Sequence, residues 1–125
     1  MDAADRHLPY AAPIEAYGKG GFRLAGISHR GSLLCLPDGV WASPITQARD
    51  IDVSTLRPVF ESKTVIEHCL IGTGVDMVAL PAPLRAQFRE RHIVAEVMTT
   101  AAAIRTYNIL LGEGRSIAAL LIAVE

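Results

Sequence analysis

The stretch Met98–Arg115 leaves a chain of this size few ways to fold. It reads as a strand end, a helix capped by Thr99 or Thr100, a glycine-rich exit at Gly112–Gly114, and an arginine leading into a last strand, Ser116–Val124. The helix is apolar over most of its circumference, which places it between other layers of a protein. Yet it carries Arg105, Thr106 and Asn108, with Glu113 and Arg115 just beyond. Charged groups of this kind are rarely buried unless paired. The last strand shows no polar alternation, the pattern of a strand buried on both faces of a helix-covered sheet.

The segments upstream supply partners for that helix. Ile14–Tyr17 and Phe22–Ala25 flank Gly18–Gly21, and Ser32–Leu36 and Val40–Ala42 flank Pro37-Asp38-Gly39, so two antiparallel hairpins are expected. Ser54 is expected to cap a short helix through Glu61, with Leu56, Val59 and Phe60 on one face. Thr64–Ile71 reads as a strand ending at Gly72-Thr73-Gly74. A short helix, Leu84–Arg91, then presents Leu84 and Phe88 to the core, and Ile93–Val97 is the next strand. The second half is thus β-α-β-α-β. The expected fold is a single three-layer α/β domain over residues 14–125, with N-terminal antiparallel hairpins packed on a mixed, mainly parallel central sheet. Residues 1–13, with Pro9 and Pro13 and no periodicity, are expected to be a flexible lead-in.

At 125 residues, half of them hydrophobic, the chain can bury a core without staples. A net charge of −1 gives no electrostatic reason to expect nucleic acid. The N-terminus lacks a secretory h-region and no apolar run approaches bilayer-spanning length, so a cytoplasmic protein without membrane insertion is expected. Cys35 and Cys69 lie in separate apolar runs and read as buried free thiols; a disulfide is open, but nothing suggests an oxidising compartment.

Chemistry-bearing motifs are few. Gly72-Thr73-Gly74 follows a strand, where phosphate-binding turns occur, but Met77 stands where a dinucleotide fingerprint needs its third glycine. The helix also starts only after Pro83, so the turn reads as structural. His7, His29, His68 and His92 are scattered, with no metal-ligand spacing. His68 and Cys69 are strand neighbours and point to opposite faces. No catalytic residue, metal or cofactor is expected. Arg105 and Asn108 are expected to share a polar edge of the helix, and Glu113 to satisfy Arg105 or Arg115; the same groups, if open, would form a small polar pocket or a partner-docking edge.

Met98-Thr99-Thr100, Arg105-Thr106-Tyr107-Asn108 and Glu113-Gly114-Arg115, with Gly72-Thr73-Gly74 upstream, resemble a widespread family known as a domain of unknown function. That family includes the mitochondrial NADH:ubiquinone oxidoreductase (complex I) assembly factor 3. The similarity covers essentially residues 14–124. It implies a compact three-layer α/β domain and a non-enzymatic accessory role toward protein partners in the assembly of respiratory or membrane complexes. Three positions depart from the family's pattern: Thr99 stands where an aspartate is expected, Ile104 where cysteine is common, and His92 where glycine is usual. The alternative is a small-ligand-binding domain or an enzyme. Its site would lie between the Gly72–Asp76 loop and the helix start at Thr99 and Thr100, above the carboxyl ends of parallel strands.

Overall fold

In a computed structural model, which describes residues 6–125, the amino-terminal third is antiparallel β throughout. It comprises β1 (Arg6–Leu8), β2 (Ala16–Gly18), β3 (Gly21–Leu24), β4 (Ile27–Arg30), β5 (Ser32–Leu36) and β6 (Gly39–Ser43). Lys19-Gly20 joins β2 to β3 at φ 53° and 80°, and Ala25-Gly26 joins β3 to β4 at 52° and 73°. Two consecutive left-handed residues give the hairpin turn whose twist matches that of its strands. Both expected hairpins form, the second with Leu36 opposite Gly39. β4 is an additional strand that completes a separate three-stranded sheet, β2-β3-β4.

The carboxy-terminal part runs α1 (Arg57–Phe60), β7 (His68–Gly72), α2 (Ala82–Glu90), β8 (Val94–Met98), α3 (Thr100–Gly112) and β9 (Ile117–Leu121). The expected β-α-β-α-β order is present, with shifted boundaries. Of Ser54–Glu61 only one helical turn forms: Ser54 is not its cap, and Asp52 and Thr55 instead bond one another through side chain and backbone. β7 starts four residues later than its β-branched run suggested, and Val65 is 81 % exposed.

The central sheet has the order β1-β6-β5-β9-β7-β8. The pairings β1·β6, β6·β5 and β5·β9 are antiparallel, and β9·β7 and β7·β8 are parallel. The sheet is mixed, but it is not mainly parallel. The second hairpin does not pack on the sheet; it joins it edge to edge through β9. The lead-in also differs from expectation: residues 1–5 lie outside the described residues, but Arg6–Leu8 pairs with β6 and Ala12 is buried.

β9 is the middle of this arrangement, and all five of its residues are buried. Alternate strand side chains point to opposite faces, so each strand feeds two cores. Leu34, Leu36, Trp41, Ile71 and Leu120 pack under α1 and α2, with Leu84 and Phe88 closing that side. Leu33, Cys35, Leu70, Ala119 and Leu121 pack under α3, together with Phe22 and Leu24 of the small sheet. Cys35 and Cys69 belong to different cores on opposite faces, so both thiols are free and cannot bridge. α3 itself is not sandwiched. Thr100, Ala103, Ile104 and Tyr107 face the sheet, whereas Arg105 is exposed and Ile109 is 62 % exposed. Its sheet-facing side is apolar, and Ile109 on the outer side leaves an aliphatic side chain in solvent.

Candidate functional site at the carboxyl ends of the parallel strands

β7 and β9 end side by side, and the chain leaves β7 through Gly72-Thr73-Gly74. Helix α3 starts directly over this point. A Cβ on Gly72 would lie 2.9 Å from Thr100 Cα and 3.1 Å from Ala103 Cβ, so only glycine permits this approach. Gly74 turns the chain away at φ 103°. The Thr100 side chain, fully buried, donates to the Ile122 carbonyl at 2.7 Å and accepts from the Gly74 amide at 2.9 Å. The Thr100 amide donates to the Gly74 carbonyl at 2.9 Å. Thr73 ties the loop shut: its hydroxyl donates to the Asp76 carbonyl at 2.7 Å and accepts from the Val78 amide at 3.1 Å. Thr99 caps α3 as expected, its hydroxyl accepting from the Ala102 amide at 3.3 Å.

These bonds have a chemical consequence. Three amides at the start of α3, those of Thr100, Ala102 and Ala103, are taken by Gly74 and Thr99, so these three are not offered to a phosphate, the use that helix N-termini serve elsewhere. Beside the knot lies an open cleft of about 530 Å³ lined by Thr46, Arg49, Thr73, Gly74, Asp76 and Glu125 among others. Its wall carries one guanidinium and two carboxylates, with no histidine or cysteine. Thr99 and Thr100 do not line it. Thr46 and Arg49 lie between β6 and α1 and approach the loop only through the fold; nothing in their local sequence marks them.

The remaining expected site residues fall in two other places. Tyr107 and Asn108 clamp the amino-terminal segment onto α3. The Asn108 amide accepts from the Ile14 N–H at 2.8 Å and donates to the Ile14 carbonyl at 2.9 Å; the Tyr107 hydroxyl donates to the Ala12 carbonyl at 3.3 Å. Burial raises the Tyr107 hydroxyl's pKa, with Cys35 beside it adding to the shift. Asn108 therefore faces Ile14 and shares no edge with Arg105. Arg105 and Glu113 are exposed and make no ion pair or side-chain hydrogen bond among the described residues. Arg115 does not pair with Glu113; it reaches Glu67 at 3.5 Å, across the start of β7. The Ser116 amide, and then Arg115, hold the Glu67 carboxyl below its ordinary range. The pair is exposed on both sides, so solvent screens it and it contributes little.

No reactive group stands out. Burial pushes the Cys35 and Cys69 thiols up to about 12, far from a nucleophile's range. No three His, Cys, Asp or Glu side chains gather in a metal-holding group among the described residues. Nor, among the described residues, is any helix long and apolar enough to cross a membrane.

The family described as a protein of unknown function (DUF498/DUF598) matches residues 14–122. The chain belongs to that family. It is 39 % identical to an uncharacterised protein of Rhodobacter capsulatus, over 90 % of this chain and 85 % of that one. It is 31 % identical to the NADH dehydrogenase [ubiquinone] 1 alpha subcomplex assembly factor 3 of Danio rerio, over 87 % of this chain and 63 % of that one. The human protein of the same name is 30 % identical, over 94 % and 64 %. The chain thus spans just under two thirds of these assembly factors. Among solved structures, an outer membrane protein from Bartonella henselae superposes with a TM-score of 0.90 at 47 % identity, over 95 % of this chain and all of that one. The Rpa2829 protein from Rhodopseudomonas palustris gives 0.83 at 49 %, over 94 % and 87 %. MT938, at 17 % identity and a TM-score of 0.65, shares the fold.

Proposed function

We propose that this DUF498/DUF598 protein is a non-enzymatic accessory protein that acts by binding a protein partner during the assembly of respiratory or membrane complexes. One observation carries the reading: the buried polar side chains of its family-like motifs are committed to the fold. Thr73 and Thr100 tie down the loop after β7, Thr100 from the start of α3, and Tyr107 and Asn108 hold residues 12–14. What those motifs leave to solvent is Arg105 on the outer face of α3, beside exposed Ile109, and Glu113 and Arg115 beyond its end. The name of the assembly factors at about 30 % identity supports the same reading. The test is deletion of the gene in its own organism, followed by native-gel staining for NADH dehydrogenase activity. Complex I is expected to accumulate as smaller intermediates and to be restored by the wild-type chain but poorly by Arg105→Glu. Unchanged assembly on deletion refutes the proposal.

A second reading rests on the cleft beside Gly74, lined by Arg49, Asp76 and Glu125 at the carboxyl ends of parallel strands, the usual ligand position in such sheets. A small zwitterion would suit that lining. A thermal-shift screen of amino acids and small acids should then find a compound whose stabilisation is lost in Arg49→Ala; no shift by any of them sinks this reading.

A further inference from the structure

The small sheet β2-β3-β4 has one face in the core and one in solvent. Cross-strand register puts Ala16, Arg23 and Ser28 in one row, and Gly18, Gly21 and Arg30 in reach of the next. Arg23 is exposed while its neighbours Phe22 and Leu24 are buried, so this row is the outer face. Opposite Arg30 stand two glycines. Gly21 admits no side chain, since a Cβ there would fall 2.4 Å from the His29 carbonyl oxygen. The result is a hollow of about 560 Å³, with Arg23 and Arg30 on its wall and Lys19 at the hairpin tip.

The charge of this hollow is unlike that of the rest of the chain. Residues 16–30 carry Lys19, Arg23 and Arg30 and no carboxylate, in a protein with 12 cations against 13 acids. None of the three forms an ion pair among the described residues; Arg23 donates only to Ser28 Oγ, at 3.4 Å. The nearest acids are otherwise placed. Glu15 accepts from the Gly26 amide at 2.9 Å, and Glu125 approaches the rim at Gly20 but stays beyond ion-pair distance of Arg30. Like charges on one sheet face destabilise it, and an acidic partner would relieve that repulsion.

The spacing selects the partner. Diagonal neighbours on an antiparallel pair are about 7–8 Å apart. Residues i and i+2 of an extended peptide are separated by about 6.6–6.8 Å and point the same way. Guanidinium forks match carboxylates two at a time. We propose that the outer face of β2-β3-β4 docks an extended acidic protein segment, Arg23 and Arg30 each pairing with one of two carboxylates placed at i and i+2. The proposal rests on the accessory reading for its biological setting, but its test uses purified components and fails or succeeds apart from any effect on complex I.

The test is fluorescence anisotropy of a labelled peptide of alternating glutamate and serine, titrated with the intact protein. Binding is expected to weaken steeply as salt rises from about 50 mM to about 300 mM. Arg23→Glu/Arg30→Glu should weaken it by about tenfold or more, and Arg23→Lys/Arg30→Lys by less. Both variants change exposed side chains, and an unchanged melting temperature confirms their fold. Inorganic phosphate and vesicles of phosphatidylglycerol are the competing arms. The proposal is overturned if the peptide does not bind, if charge reversal leaves its affinity unchanged, or if only phosphate or vesicles bind through the two arginines.

Discussion

Replacing Thr100 by valine isolates the hydrogen bonding at the β7–α3 turn. Valine keeps the volume and branching of threonine, so no cavity opens, and at the first helical position its propensity differs little. What disappears is a hydroxyl that is 0 % exposed and holds the Gly74 amide and the Ile122 carbonyl. Both bonds are buried, at a junction where Gly72 stands against the helix backbone. A buried donor or acceptor left unpaired costs about 1–3 kcal/mol. With some relaxation, Thr100→Val should lose about 2–4 kcal/mol of unfolding free energy. For a domain of 125 residues that is a fall of about 8–16 °C in melting temperature. Thr100→Ser, which keeps the hydroxyl and removes one methyl, should lose only about 1 kcal/mol. Urea denaturation gives the energies, and native-state hydrogen exchange should show the Gly74 amide losing protection in the valine variant alone. A valine variant within about 1 kcal/mol of wild type, or a serine variant less stable than it, would refute the assignment.

Gly72→Ala at the same junction should cost about 1–3 kcal/mol or more, because the helix backbone must move away; calorimetry checks it. His92 sits at φ 57° just past α2, where the Ile93 amide closes back on the Phe88 carbonyl at 3.0 Å. His92→Gly should therefore stabilise the protein by about 1 kcal/mol, read as a rise of about 4 °C in melting temperature. Neither thiol should react with a disulfide reagent at pH 8 until urea unfolds the chain; rapid labelling of the native protein contradicts the burial of Cys35 and Cys69. Burial, and then His7 at a ring distance of 4.3 Å, lowers the pKa of His29 from 6.5. The unfolded chain then binds the extra proton first: His29's contribution is whole above pH 6.5 and is lost as pH falls through that value toward the folded one. Urea titrations between about pH 8 and pH 5 should show this loss, flattened in His29→Phe.

The parts of the fold visible in the sequence were those written in local signals. Thr99 as cap, Leu84 and Phe88 as the buried pair of α2, and the two hairpin turns all depend on residues a few positions apart. β4 stayed hidden because its inward-facing residue is His29, not an aliphatic side chain, so the alternation of Ile27–Arg30 does not register. Thr64–Glu67 has strand-forming composition but stays outside the strand proper; Glu67, at its end, already bonds through the backbone to Ser116 and Val94. The polar cluster was the least legible part. The partners of its residues are non-local: Asn108 meets Ile14 at a separation of 94 residues, and Arg115 meets Glu67 at 48. Glu113 is close to Arg115 along the chain, but the fold carries Arg115 to Glu67 instead. The cleft suffered likewise, since Arg49 joins Asp76 only once the sheet has formed.

The position of β9 has a consequence for how the protein is made. It follows every other described strand along the chain, yet it lies between β5 and β7 and supplies the contact that unites the antiparallel and parallel halves of the sheet. Until Ile117–Leu121 emerges, each half presents an open, apolar strand edge, the kind of surface that pairs with other chains. Pairing of β9 therefore removes the hazard, and a nascent chain stalled or cut before Ile117 should aggregate rather than fold partway.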